Sequence, residues 1–215
     1  MSCALISLRT TYADWAPAAE GAHSAYGVRS RGGVCQDGGV TTYVAFLRGI
    51  NLGSTNKISM PELRSMAEEL GYEGVATYIN SGNLVLRTPK KAATVEGELA
   101  RAITVRFGYR IDVAVRTLAQ LEKVLADNPY PDGNPSQVTV AFLTKASPAQ
   151  AKEKVAAIAA DHEPFHFAGK NVYVNYGQGL GRSKLAEKFS SIIGVSSTVR
   201  NIRTVENVVG LCKQA

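Results

Sequence analysis

The sequence predicts an α/β (α+β) fold built from two tandem ferredoxin-like β-α-β-β-α-β units, each followed by an extra helix. The same order of strand-like and helix-like segments occurs twice along the 215 residues. Gly82 and Gly169 stand in the two predicted hairpin turns at an offset of 87 residues, and the same offset separates Thr117 from Thr204. This repetition of element order, spacing and turn chemistry predicts an internal duplication.

A short sequence match supports the duplication. Val115-Arg-Thr-Leu118 is similar to Ile202-Arg-Thr-Val205, and each segment follows a glycine that ends a predicted helix, Gly108 or Gly194. The predicted organisation is an N-terminal extension at 1–40, a first repeat at 41–127, a linker at 128–136 and a second repeat at 137–215.

The first repeat begins with an apolar run at 43–47 that is typical of a buried strand. Ser59 and Glu62 form the pattern of a capping box, apolar residues then recur at helical spacing, and Gly71 supplies a helix stop. The remaining predicted elements are strands at 75–80, 84–87 and 111–115, a helix from about Ala92 to Gly108, and a helix at 118–126 that Thr117 caps with Gln120 at the box position.

The second repeat follows a stretch at 128–135 that is rich in proline, asparagine and glycine and predicts a linker. Its elements come in the same order as those of the first repeat. They are a strand at 138–143, a helix opened by Pro148, a hairpin of 165–167 and 172–176, a helix that starts within 181–185 and runs to Gly194, a strand at 198–202, and a last helix capped by Thr204.

Residues 1–40 show neither helical nor strand periodicity and are rich in alanine, glycine and serine. Such a segment cannot bury enough apolar surface to offset the entropy that ordering would cost. We interpret it as a disordered or artefactual extension. A translation start at Val40 and a transit-like peptide are the alternatives that remain open.

The net charge of +6 favours anionic partners. The charges of residues 1–40 sum to zero, so the whole excess belongs to the predicted folded part.

No apolar run approaches the roughly 20 residues of a membrane-spanning helix, and the N-terminus lacks a secretory signal, so we expect a cytoplasmic protein without a membrane partner. Three widely spaced cysteines argue against a disulfide framework or a structural zinc site.

Four segments together resemble the bacterial family called domain of unknown function 1697. They are, in order, Arg48-Gly-Ile-Asn51, Asn56-Lys57, Tyr78-Ile-Asn-Ser-Gly-Asn83 and Gly181-Arg-Ser-Lys-Leu185. The resemblance runs from about Thr42 to the C-terminus and implies a duplicated ferredoxin-like α/β protein, mostly bacterial, without an assigned activity. Members usually carry Arg-Asn-Trp-Asn-Thr-Val near the end, where this chain has Ile202 and Arg203 in place of the tryptophan and the second asparagine. A ligand could therefore not stack on a tryptophan at that position.

The loop after the first strand is the best candidate site. Arg48 offers a guanidinium fork for phosphate or carboxylate, Asn51 offers an amide, and Lys57 adds an ammonium group ahead of a helix N-terminus. The alternative is a turn whose glycines meet backbone constraints and whose Arg48 pairs with an acid.

The predicted hairpin turn could also supply ligand groups, from Asn80, Ser81 and Asn83. A hairpin uses the same residue types for its geometry alone, so the structural interpretation stays open.

A third candidate follows three closely spaced glycines at a predicted helix start. Arg182, Ser183 and Lys184 could hold an anion there together with backbone N–H groups. The alternative is an ordinary helix turn with solvated cations.

These candidates favour a protein that binds a small anionic ligand such as a nucleotide. The alternatives are an enzyme acting on a phosphorylated substrate, a protein-interaction or oligomerisation module, and a nucleic-acid binder, which is less favoured because no RNP-like aromatic run is present. The sequence contains neither a Walker A loop nor a dinucleotide fingerprint, so we expect no cofactor. It shows no recognisable nucleophile or acid/base pair, and the spacing of His162 and His166 does not favour a metal site.

Overall fold

The structure of the protein, a computed structural model, describes residues 39–214. Nearly all of the predicted N-terminal extension therefore lies outside the described residues. Within residues 39–214 the fold is mixed α/β, with two four-stranded antiparallel sheets and six α-helices.

Each half of the described chain contributes one sheet and three helices. The strands are β1 (Thr41–Leu47), β2 (Glu73–Tyr78), β3 (Asn83–Thr88), β4 (Val113–Thr117), β5 (Val138–Leu143), β6 (Phe165–Ala168), β7 (Asn171–Asn175) and β8 (Ser197–Asn201). The helices are α1 (Met60–Glu69), α2 (Ala92–Phe107), α3 (Leu118–Ala126), α4 (Gln150–Ala156), α5 (Lys184–Ile192) and α6 (Ile202–Cys212). The strand orders are β2-β3-β1-β4 and β6-β7-β5-β8, so β4 and β8 are equivalent edge strands.

Both faces of each sheet are covered, which explains why the central strands read as continuous apolar runs. In β1, Ala45 and Leu47 face a core formed with α1 and α2, whereas Val44 and Phe46 face a second core that both halves share. Helices α3 and α6 contribute to this shared core, and α4 and α5 cover the other face of the second sheet. The predicted domain boundary at 128–136 stays a prediction.

Local capping residues define most helix starts. Thr117 caps α3 in a complete capping box with Gln120, as predicted. Ser59 caps α1 by accepting the N–H of Glu62, but the Glu62 carboxylate bonds to the Ser59 hydroxyl instead of completing the box. The structure places the start of α4 at Gln150, two residues after the predicted Pro148.

The prediction that Thr204 caps the last helix is wrong. α6 begins at Ile202, and its cap is Asn201, whose Oδ1 accepts the N–H of Thr204 at 2.9 Å. Strand pairing shows which residues of the two halves correspond. Thr117 lies opposite Tyr43 in β1, and Asn201 lies opposite Thr139, the equivalent residue of β5. The structural counterpart of Thr117 is therefore Asn201, and the predicted alignment of the two repeats is shifted by three residues here.

A stacked aromatic pair joins the two sheets. The rings of Phe46 and Phe142 lie 4.3 Å apart with an interplanar angle of 5°. The two residues occupy equivalent positions, because Phe46 pairs with Asn83 and Phe142 pairs with Asn171. The same central contact thus uses one ring from each half.

Two arginines flank this pair in a reciprocal arrangement. Arg116 of β4 lies over the Phe142 ring at 5.6 Å and donates to Leu143 O at 2.8 Å. Arg200 of β8 lies over the Phe46 ring at 5.7 Å and donates to Leu47 O at 3.0 Å. Each arginine therefore bonds to the backbone of the opposite half, beyond the cation–π contact itself.

We expect Phe142→Ala to lower the free energy of unfolding by about 3–5 kcal/mol, because it removes a fully buried ring and the surface against which Arg116 packs. Urea denaturation followed by circular dichroism measures the change. Val105→Ala, at a side chain that is 81% exposed, is the matched control and should change stability by less than about 0.5 kcal/mol. Equal stabilities of the two variants would contradict the central role of the aromatic pair.

Candidate functional site

A cavity of about 520 Å³ lies where the loop after β1, the segment before β4 and the edge strand β8 meet. We call it the Arg48 cavity. Its charged lining residues are Arg48, Arg110, Asp112 and Arg200, and its polar lining includes Asn56, Ser81, Ser190, Ser197 and Thr198.

The loop after β1 is shaped by Asn51. Its amide group donates to Ile58 O at 2.9 Å and to Asn80 O at 2.8 Å, while its Oδ1 accepts the N–H of Ile58 at 2.9 Å. The backbone φ of Asn51 is 54°, a left-handed conformation that asparagine tolerates better than most residues. Asn51 therefore ties the loop to the β2–β3 hairpin, and its side chain is occupied by protein partners.

Arg48 is only partly engaged with the protein. One of its terminal nitrogens lies 3.4 Å from Asp112 Oδ2 and 3.4 Å from Ser196 Oγ. The Ser196 hydroxyl itself donates to Asp112 at 2.6 Å. The remaining guanidinium nitrogens of Arg48 bond to no acceptor within residues 39–214. The expected pairing of Arg48 with an acid is thus present, but it leaves donors free at the cavity.

Arg200 forms the base of the cavity and is bonded at all three nitrogens. Its Nε donates to Asn83 Oδ1 at 2.6 Å, and its terminal nitrogens donate to backbone oxygens that include Leu47 O and Ser81 O. Burial lowers the pKa of the Arg200 guanidinium to about 10, which still leaves it protonated at neutral pH. It therefore contributes a fixed positive charge and holds the loops, with no donor left for direct ligand contact.

The edge strand β8 adds uncharged donors. The Oγ of Ser197 is buried and has no hydrogen-bond partner in the described part of the chain. The N–H of Thr144 donates to Ser196 O, which makes these two residues a hydrogen-bonded pair. In an antiparallel pair of strands every second residue pair is hydrogen-bonded, so the N–H of Val199, three residues after Ser196, is directed away from β5. In the first half, the corresponding N–H of Val115 is accepted by Glu96 at 2.9 Å, whereas no side chain within residues 39–214 accepts that of Val199.

The predicted hairpin residues lie beside this cavity in supporting positions. Asn83 is fully buried against Arg200, and it donates to Tyr78 O and to Ser81 Oγ. Asn80 is exposed and contributes its carbonyl oxygen to Asn51. Among these residues only Ser81 lines the cavity, so the hairpin acts mainly through its backbone.

The remaining predicted ligand residues do not line the Arg48 cavity. Lys57 is exposed on the same loop. Arg182, Ser183 and Lys184 line a separate surface depression at the start of α5. Ser183 is the cap of that helix, because its hydroxyl accepts the N–H of Ala186 at 2.9 Å.

Sequence reasoning missed Arg110, Ser197 and Arg200. The available signal for Arg200 was a guanidinium within the strand predicted at 198–202, since a charged side chain in a strand that packs on a core is uncommon. Ile202, which stands where the family usually has tryptophan, is 4% exposed in the shared core. In this chain that position packs between the sheets.

Within residues 39–214, no group of three or more histidine, cysteine, aspartate or glutamate side chains is placed to hold a metal ion. None of the helices in this range combines the length and the apolar character that crossing a membrane requires.

We expect Asn51→Gly to lower the free energy of unfolding by about 1–3 kcal/mol, because Ile58 and Asn80 lose their hydrogen-bond partner. Asn51→Ala should cost about 1 kcal/mol more, because alanine also resists the left-handed backbone. Chemical denaturation gives both values, with Lys57→Ala as the control in the same loop. A glycine variant as stable as the wild type would show that Asn51 does not hold the loop.

Comparisons with known proteins give a family and a fold. A family model described as "Protein of unknown function (DUF1697)" matches residues 40–173. No curated protein matches the chain. The solved structure of the conserved bacterial protein SP0830 from Streptococcus pneumoniae is similar with a TM-score of 0.65 and 22% identity, over 81% of this chain and 99% of that one. The family match covers more than half of the sequence and includes the Arg48 loop and the β2–β3 hairpin, so this chain belongs to the DUF1697 family.

Proposed function

We propose that the protein binds a small organic anion, with a phosphate or carboxylate group, in the Arg48 cavity. The observation that carries this proposal is an excess of hydrogen-bond donors over acceptors. Within residues 39–214, Arg48 keeps free guanidinium nitrogens, Arg110 forms no ion pair, and Val199 presents an open backbone N–H. An anion with several oxygens would accept from these groups together.

The charge of the cavity agrees with an anionic ligand. Three arginines and one aspartate line it, a formal sum of +2. The charge of Arg200 is buried, and no carboxylate within residues 39–214 forms an ion pair with it, so screening by water is weak there. A ligand with two or more negative charges, such as a nucleotide, fits this field best.

The size and the lining of the cavity favour binding over chemistry. Its volume of about 520 Å³ is in the range of small-molecule sites. Its described lining contains one carboxylate, Asp112, and neither an imidazole nor a thiol. The cavity thus offers electrostatic recognition, and nothing in it favours a particular enzymatic step.

The two surface-based alternatives have less support. Base stacking on a sheet, as in RNA-recognition modules, needs an exposed sheet face with aromatic residues. Here the central strands β1 and β5 are buried on both faces, and the Phe46 and Phe142 rings stack on each other inside the protein. An interaction module that works through an open sheet face meets the same obstacle.

We further propose that each half is a ferredoxin-like unit and that the two arose by duplication. The shared strand order and the matched positions of Phe46 and Phe142 support this view. An experimental structure in which the two sheets failed to superpose strand for strand would reject it.

The cytoplasm remains the proposed compartment, and cell fractionation with immunodetection tests it.

We expect Arg110→Ala and Arg48→Ala each to weaken binding of the best ligand by about 10–100-fold, the loss typical of one charge-assisted hydrogen bond. A thermal-shift screen with nucleotides and with phosphorylated or carboxylated metabolites selects the ligand, and titration calorimetry measures the affinities. Lys57→Ala is the matched control, because it removes a cation from the same loop outside the cavity.

Arg182→Ala serves as a second control in this experiment. Unchanged binding in Arg110→Ala and Arg48→Ala would overturn the proposed site. Loss confined to Arg182→Ala would move the ligand to the depression at the start of α5.

A further inference from the structure

A second cavity, of about 530 Å³, lies around Arg116. It is bounded by the start of α2, the edge strand β4, helix α3 and the β6–β7 hairpin, so both halves of the chain contribute to it. We call it the Arg116 cavity. None of its lining residues belongs to the predicted ligand set, and none lines the Arg48 cavity.

The two inter-sheet arginines differ in one bond. Strand register makes Asn171 the counterpart of Asn83 and Arg116 the counterpart of Arg200. Arg200 Nε donates to Asn83 Oδ1 at 2.6 Å. The corresponding bond from Arg116 to Asn171 is missing, and Asn171 Oδ1 is buried without a hydrogen-bond partner within residues 39–214.

Arg116 keeps a free donor at this cavity. Its terminal nitrogens donate to Val115 O, Leu143 O and Lys170 O, whereas its Nε bonds to no acceptor within residues 39–214. The Arg116 residue is 7% exposed, so its charge is largely shielded from water. A buried cation with an unused N–H favours an oxyanion, and the neighbouring unpaired carbonyl of Asn171 favours a hydrogen-bond donor.

The rest of the lining limits the charge and the shape of a ligand. The lining has a formal charge of +1, from the three cations Arg116, Lys123 and Lys170 and the two carboxylates Glu96 and Asp127. One Glu96 oxygen accepts the N–H of Val115, and Asp127 pairs with Lys123 at 2.9 Å. Further lining comes from alanine and valine side chains, which suit a short aliphatic group.

We propose that the Arg116 cavity is a second ligand site, for a small monocarboxylic acid with a hydroxyl group beside the carboxylate. The carboxylate accepts from Arg116 Nε. The hydroxyl donates to Asn171 Oδ1 after a rotation of that side-chain amide, which gives the orphaned oxygen a partner. The aliphatic part contacts the alanine and valine wall.

Titration calorimetry with 2-hydroxy-4-methylpentanoate tests the proposal, with 4-methylpentanoate as the matched compound that lacks the hydroxyl. We expect the hydroxy acid to bind about fivefold more tightly, the value of one neutral hydrogen bond. Asn171→Asp should abolish this binding, because a carboxylate at that position pairs with Arg116 and occupies its free nitrogen. It should also preserve folding, which urea denaturation verifies.

Arg110→Ala is the control, because Arg110 lines the Arg48 cavity and does not line the Arg116 cavity. Three results would overturn the proposal: no binding of either acid by the wild type, equal binding by Asn171→Asp, or loss of binding in Arg110→Ala. Because the two cavities share no lining residue, failure here leaves the proposed function of the Arg48 cavity intact, and the converse also holds.

Discussion

The contact that the rest of the structure depends on is the reciprocal stack between the sheets, in which Phe46 and Phe142 lie face to face with one guanidinium beside each ring. Each arginine comes from one half and bonds to the backbone of the other. Both guanidinium groups are buried, and the hydrogen bonds that their terminal nitrogens make to the protein offset lost hydration. These bonds fix the two sheets in one relative position.

The two cavities follow from this arrangement. Arg200 donates hydrogen bonds to the end of β1 and to the β2–β3 hairpin, and these segments form the wall of the Arg48 cavity. Arg116 does the same with the end of β5 and the β6–β7 hairpin. The two sides then differ because Asn83 completes the bond to its arginine and Asn171 does not. The Arg48 cavity therefore carries a formal charge of +2 and contains Arg200, whose guanidinium nitrogens are all hydrogen-bonded. The Arg116 cavity carries a formal charge of +1 and contains Arg116, whose Nε is free within residues 39–214.

Local patterns sufficed for features whose partners are close in the chain. The cap at Thr117 depends on Gln120 three residues later, and both were readable from the sequence. The cap of α6 could not be decided in this way, because Asn201 and Thr204 are both suitable and the pairing of β8 with β5 selects between them. Arg200 was missed for the same reason, since its partners Asn83 and Leu47 lie 117 and 153 residues away. The candidate loop was found from Arg48, but the cavity around it is assembled by these long-range contacts.

The partners of the two arginines have a consequence for the history of the chain. Leu47 and Leu143 are recognised through their carbonyl oxygens, which any amino acid would present equally well. A substitution of Leu47 or Leu143 that keeps the strand in place would therefore leave the hydrogen bond to the arginine intact. If the two halves arose by duplication, as proposed, bonds directed at backbone oxygens could persist while these side chains changed.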